Sequence, residues 1–255
     1  MSDACYVYCV IASGRRPRPT RVARGLPATG PVRVLDAGGL YVVVAEAPLS
    51  EYGEAAIARG LANLEWVSRA AMAHERVVES FGKADAVLPM KLFTMFSNEA
   101  RALAHVSEQR KRLDALVRRV TGHDEWSVRV VLDRARAERA APKSATASDG
   151  RTGVAYLAQK KARRDAAREL AERAQETVAD LYDRLSARAR EATRRTASEL
   201  PAQGGSLLLD AAFLIPRRRA ASFKTLAGRE AKALARHGYG VTLTGPWPPY
   251  SFVQD

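Results

Sequence analysis

Leu207-Leu208-Leu209-Asp210-Ala211-Ala212-Phe213-Leu214-Ile215, the helical stretch Ala220–His237 behind it and the short run Gly240–Thr244 decide the fold. They read as strand, helix, strand. Upstream, Trp126, Val128, Val130 and Leu132 alternate with Ser127, Arg129 and Val131, the period of a half-buried strand. Between these strands runs a long helical region from about Val154 to Glu199. Its apolar stripe is Leu170, Ala174, Val178, Leu181, Leu185, Ala189 and Ala192, and Pro201 and Gly204-Gly205 end it. Unbroken, it would reach roughly 70 Å at 1.5 Å per residue, which leaves room for a break. The order β, α, β, α, β is a split βαβ arrangement with one strand missing. Residues about 137–152 are poor in bulky apolar side chains around Ala141–Gly150 and read as an exposed loop or linker.

The first half has a different grammar. Tyr6-Val7-Tyr8-Cys9-Val10-Ile11 is β-branched and aromatic, a strand. Gly14–Gly30 is an Arg-, Pro- and Gly-rich loop. Pro31–Asp36 and Leu40–Ala45, parted by Ala37-Gly38-Gly39, form a hairpin. From Ser50 a long amphipathic helix is expected, with the stripe Ile57, Leu61, Leu64, Val67, Ala71, His74, Val78 and Phe81, ending at Gly82. Ala86–Met90 is a short strand closed by Pro89, and Asn98 caps a second helix that runs to Gly122. Strands and helices without strict alternation predict an α+β chain of two domains. Residues 1–122 form a mixed α+β domain. Residues 123–255 form a modified ferredoxin-like domain with a long helix, and the tail Gly245–Tyr250 lies outside regular structure.

The chain has 255 residues, 47% hydrophobic and 27% charged, enough apolar mass for a real core, which excludes wholesale disorder. The net charge is +13, spread along the chain, and 33 of the 41 basic residues are Arg. A diffuse excess of this kind favours a nucleic-acid partner only weakly. Cys5 and Cys9 are the only cysteines. Four apart in a strand they share a face about 13 Å apart, too far for a disulfide. Asp3, the missing basic n-region and Arg15-Arg16 after the apolar start argue against a signal peptide. A soluble cytoplasmic protein is expected, with no membrane contact.

Chemical motifs fail in turn. His74-Glu75 would need a His where Val78 stands to make a zinc-protease helix, and His74 lies on the apolar stripe, so it reads as a packed core histidine. His105, His123 and His237 have no Cys or His at ligand spacing. No phosphate loop, dinucleotide fingerprint or nucleophile elbow is present. Glu172/Glu176 and Asp180/Arg184 read as solvated helix residues. No catalytic residue, metal site or cofactor is expected. Two features remain. Arg217, Arg218 and Arg219 stand where a strand gives way to a helix and offer an anion or partner contact. Trp247, Pro248, Pro249, Tyr250 and Phe252 are the densest aromatic–proline cluster and serve either as a structural cap or as a docking surface.

Taken in order, several blocks resemble the gas vesicle protein GvpL/GvpF family. They are Tyr6-Val7-Tyr8, Ala73-His74-Glu75, Val87-Leu88-Pro89, Gly122 with Glu125-Trp126, Gly153-Val154-Ala155-Tyr156-Leu157 with Lys160-Lys161, and Leu243–Phe252, the most specific. One departure is visible: many relatives carry Phe-Gly-Thr where this chain has Leu92-Phe93-Thr94, and Phe93 in place of Gly removes backbone freedom. The resemblance implies an accessory or minor structural protein of gas vesicles, with no enzymatic activity. It implies help in nucleation or assembly of the shell by binding the small hydrophobic shell protein and other gas vesicle accessory proteins, and a place at the gas vesicle. It also implies the two-domain fold with a ferredoxin-like C-terminal half. Self-association stays open. The alternative is a basic nucleic-acid-binding module with a ferredoxin-like domain. No specific nucleic-acid site supports it, since Leu207–Ile215 has one aromatic and no base.

Overall fold

The computed structural model describes residues 3–21, 24–140, 153–195 and 205–253. They fall into two compact units, one of residues up to Glu125 together with those from Pro246 onward, the other Trp126–Gly245. The ten terminal residues therefore group with the first unit, whereas the sequence reading kept them with the second half.

In the first unit, β1 (Asp3–Ala12), β2 (Arg33–Asp36) and β3 (Tyr41–Pro48) are followed by α1 (Leu49–Tyr52), α2 (Glu54–Gly60) and α3 (Leu64–Ser80). Then come β4 (Ala86–Pro89), β5 (Met95–Phe96), α4 (Glu99–Glu108) and α5 (Arg110–Val120). The sheet order is β2-β3-β1-β4, and β5 pairs with β1 at Cys5–Tyr6, beyond the end of β4. Asp36 Oδ1 accepts the Gly38 N–H, and Gly38 and Gly39 take the left-handed backbone that the β2–β3 turn needs. β1 is buried on both faces, hence its unbroken apolar run.

A bulge in β1 overturns one expectation. Val7 pairs with Val44 but Cys9 pairs with Val43, so Tyr8 is the extra residue. Cys5 consequently shares a face with its partner Glu46 and Cys9 with Val43, three residues apart on β3 and so on opposite faces. Both thiols are free and buried, and burial pushes Cys5 up to about 11.

The single helix expected from Ser50 is three pieces. Gly53 is extended between α1 and α2. Asn63 then restarts the helix, its Oδ1 accepting the N–H groups of Glu65 and Trp66. Gly60 permits the kink because a Cβ there would lie 2.5 Å from the Trp66 ring. The buried side of α3 is Ala70, Ala73, His74, Val77 and Val78, while Leu61 and Leu64 are 60% and 75% exposed. The second helix also breaks, at Gln109, and Asn98 caps its first part by accepting from Arg101 N–H.

The chain passes along β6 (His123–Leu132) into the second unit. There α6 (Arg134–Ala140), α7 (Gly153–Ser186), β7 (Glu191–Arg194) and β8 (Ser206–Pro216) precede α8 (Ala220–Ala235) and β9 (Tyr239–Trp247). The sheet order β7-β8-β6-β9 completes the split βαβ pattern, and β7 is the missing strand. The helix stops at Ser186, and Glu191–Arg194 pairs antiparallel with Leu214–Ala211. Trp126, Val128, Val130 and Leu132 face Ala174, Val178, Leu181 and Leu185 of α7 and Phe223 and Ala227 of α8 in one core. Part of the expected linker is helical, since Asp133 caps α6 by accepting from Arg136 N–H; residues 141–152 lie outside the described residues.

The tail is not irregular. β9 continues through Gly245-Pro246-Trp247, which an edge strand allows because the proline's missing N–H need not face a neighbour. A last turn of helix, α9 (Tyr250–Val253), follows.

Candidate functional site

The sequence singled out the tail, and it is held from several sides. Phe252 is 2% exposed, and Pro249 and Val253 are also buried. The Glu125 carboxylate, itself 2% exposed, accepts the Ser251 N–H at 2.7 Å and its hydroxyl at 3.0 Å. Arg119 donates to the Phe252 carbonyl at 3.0 Å and lies 6.0 Å over its ring. Tyr250 packs against the core that contains Tyr6, Tyr8, Val77 and Val78. Burial, then the charges of Glu75 and Glu79 with neighbouring groups, holds its hydroxyl protonated far above the ordinary range. Trp247 and Pro248 are half-buried.

Arg217, Arg218 and Arg219 form a 3-10 turn entering α8. Arg217 is half-buried and engaged; the other two are exposed. They belong to the second unit and the tail to the first, so the two sequence-predicted features do not form one site within a unit.

His74 is buried beneath the first sheet. Phe93 N–H donates to the Tyr6 hydroxyl at 3.3 Å, and that hydroxyl lies 2.7 Å from His74 Nδ1. The Tyr6 hydroxyl thus ties the Phe93 backbone to the buried imidazole. Burial lowers the histidine to about 4, with the Met90 backbone acting in the opposite direction. Among the described residues no group of three or more His, Cys, Asp and Glu is placed to hold a metal ion, and no helix is long and apolar enough to cross a membrane.

Phe93 takes φ +64, the left-handed conformation that suits glycine, at a cost of about 1–2 kcal/mol. Its ring stacks on Trp66 at 5.1 Å and 22° and lies 6.3 Å from Tyr52, which offsets that strain.

The sequence reading missed an open groove of about 870 Å³ on the first unit. One side is the flank of α3 that carries Arg69, Met72 and Arg76; the other is the loop from Arg24 to Val32. Met72 is 46% exposed there. The only prior signal was an apolar residue between two arginines at i, i+3 and i+7, which reads as solvated helix surface until the loop is placed opposite.

A family model described as gas vesicle synthesis protein GvpL/GvpF matches residues 4–254. The chain is 28% identical to gas vesicle protein L of Streptomyces sp. (strain CB03234), over 97% of this chain and 92% of that relative. It is 27% identical to gas vesicle protein F of the same strain, over 98% of this chain and 99% of that one. The crystal structure of GvpF from Anabaena sp. PCC7120 matches with TM-score 0.72 at 18% identity, covering 100% of this chain and 97% of the other. GvpF from Microcystis aeruginosa matches with TM-score 0.67 at 16% identity, over 98% and 99%. At those identities the structural likeness is one of fold.

Proposed function

The chain belongs to the gas vesicle synthesis protein GvpL/GvpF family, which gives it a gas vesicle-associated role, and from there we propose that it assists nucleation or assembly of the vesicle shell by binding other vesicle proteins. Its partners in this reading are the hydrophobic shell protein and further accessory proteins, and it works at the gas vesicle in the cytoplasm without catalysing a reaction.

The observation that carries the reading is the extent of the family match, 4–254 of 255 residues. The match leaves no sizeable part of this sequence outside the family. The sites support it too. The most perturbed groups, Tyr6, His74, Cys9 and Tyr250, are shifted chiefly by burial and sit in the packed core of the first unit, where they order the fold. The open groove, by contrast, has the form of a binding surface.

Two experiments test the proposal together. Deleting the gene should abolish or deform gas vesicles in electron micrographs, and the wild-type gene should restore them. Purified protein at physiological salt should retain the shell protein or another vesicle protein but not DNA or RNA. Normal vesicles in the deletion strain, or retention of nucleic acid alone, contradicts it.

A further inference from the structure

The groove beside α3 has a definite chemistry. Along α3, Arg69, Met72, Ala73, Arg76, Val77 and Ser80 follow the steps i, i+3, i+4, i+7, i+8 and i+11, one continuous flank. This flank spans about 16 Å, or three helical turns. The facing loop is pinned rather than loose. Leu26 N–H donates to the Tyr8 hydroxyl at 3.0 Å, the Tyr52 hydroxyl donates to the Pro27 carbonyl at 2.7 Å, and Gly30 N–H donates to the Glu46 carbonyl at 2.8 Å. A wall ordered in advance adds little entropy cost when a ligand arrives.

Charge and hydrogen-bonding capacity narrow the occupant. Arg24, Arg69 and Arg76 line the groove and no Asp or Glu does. Among the described residues, the ion pair nearest these three is the loose one from Arg69 to exposed Glu65, at 4.0 Å. The wall has few backbone donors to offer an added strand, because Pro27 and Pro31 have none and those of Leu26, Thr29 and Gly30 are spent. Recognition must come from side-chain surface, as when a helix lies in a groove.

We propose that the groove is the docking site for an acidic amphipathic helix of a partner protein, about three turns long, which sets its apolar stripe over Met72 and Val32 and its carboxylates against Arg24, Arg69 and Arg76. The proposal rests on the reading that the protein acts by binding other proteins, and it names the surface and the partner's chemistry.

The probe is a fluorescein-labelled synthetic helix of roughly 15 residues, with Leu at i, i+3, i+4 and i+7 flanked by Glu. Anisotropy titration of the full chain should show saturable binding that weakens as salt rises. The pair Arg69→Glu and Arg76→Glu should weaken it about tenfold or more, since reversed charges now face the carboxylates. Met72→Glu should do the same. All three positions are exposed, and circular dichroism should show unchanged folding. Lack of binding, equal binding to the paired variant, or equally tight binding of a peptide with Lys for every Glu overturns the proposal. So does a single-stranded oligonucleotide that displaces the peptide and loses affinity with the same arginines, which would make the groove a nucleic-acid site. Complementation of a deletion strain separates this from the wider reading. Vesicles restored by wild type and equally by the paired variant sink the groove alone; failure of the wild type sinks the vesicle role, and the peptide titration still decides the groove.

Discussion

The two flanks of α3 meet opposite fates. On one, the chain's own C-terminus is packed: Tyr250 joins the core with Val78, and the charges of Glu75 and Glu79 reach its hydroxyl. On the other, Arg69, Met72 and Arg76 face an open groove. The tail is the richer in aromatic residues, yet its rings are largely spent inside the molecule. Aromatic density in a sequence reports contact area, and it does not say whose area is covered. The flank built from arginines and one methionine is the one left open to another molecule.

The comparison breaks most readily at the tail. Phe252→Ala empties a site with 2% exposure and should cost roughly 3–5 kcal/mol of stability, read as a lower melting temperature or urea midpoint. A melt within error of wild type would return the tail to the list of free surfaces.

Next comes the floor between the flanks. His74 is held at about 4 in the folded protein against 6.5 as the ordinary value. The unfolded chain therefore binds the extra proton first. The stabilisation from neutral His74 is complete above about pH 6.5 and is lost as pH falls towards 4, amounting to up to roughly 3 kcal/mol. His74→Gln should flatten that part of the pH–stability curve, measured by urea titration across it. An unchanged slope would mean that the histidine titrates alike in the folded and unfolded chains, so that burial does not hold it neutral.

A smaller effect sharpens the picture at the edge of the aromatic cluster. Phe93→Ala keeps the left-handed strain and loses the stack on Trp66; Phe93→Gly loses the stack and the strain together. The alanine variant should be the less stable of the two by about 1 kcal/mol. Equal stabilities would mean that position 93 relaxes out of the left-handed region once the ring is gone.

Legibility followed the range of the forces. Trp126–Leu132 and the stripe Leu170–Leu185 were readable because period alone orients them, and Asn98 because a cap is local. Glu191–Arg194 was not, since Glu and Ala are poor strand formers and this segment is a strand because β8 lies beside it. The opposite faces of Cys5 and Cys9 depend on the bulge at Tyr8, which appears only in the pairing with β3. Leu61 and Leu64 fit the helical period and are still exposed, because the helix restarts at Asn63 and changes phase. The groove was hidden for the same reason as β7, its two walls being some 40 residues apart in the chain.

Hydrogen exchange on the full chain, with and without the gas vesicle shell protein, asks most directly which flank meets a partner. Added protection should appear along Arg69–Ser80 and in the loop Arg24–Val34, and residues 246–253 should exchange as before. Protection confined to the tail, with the groove unchanged, would contradict the account.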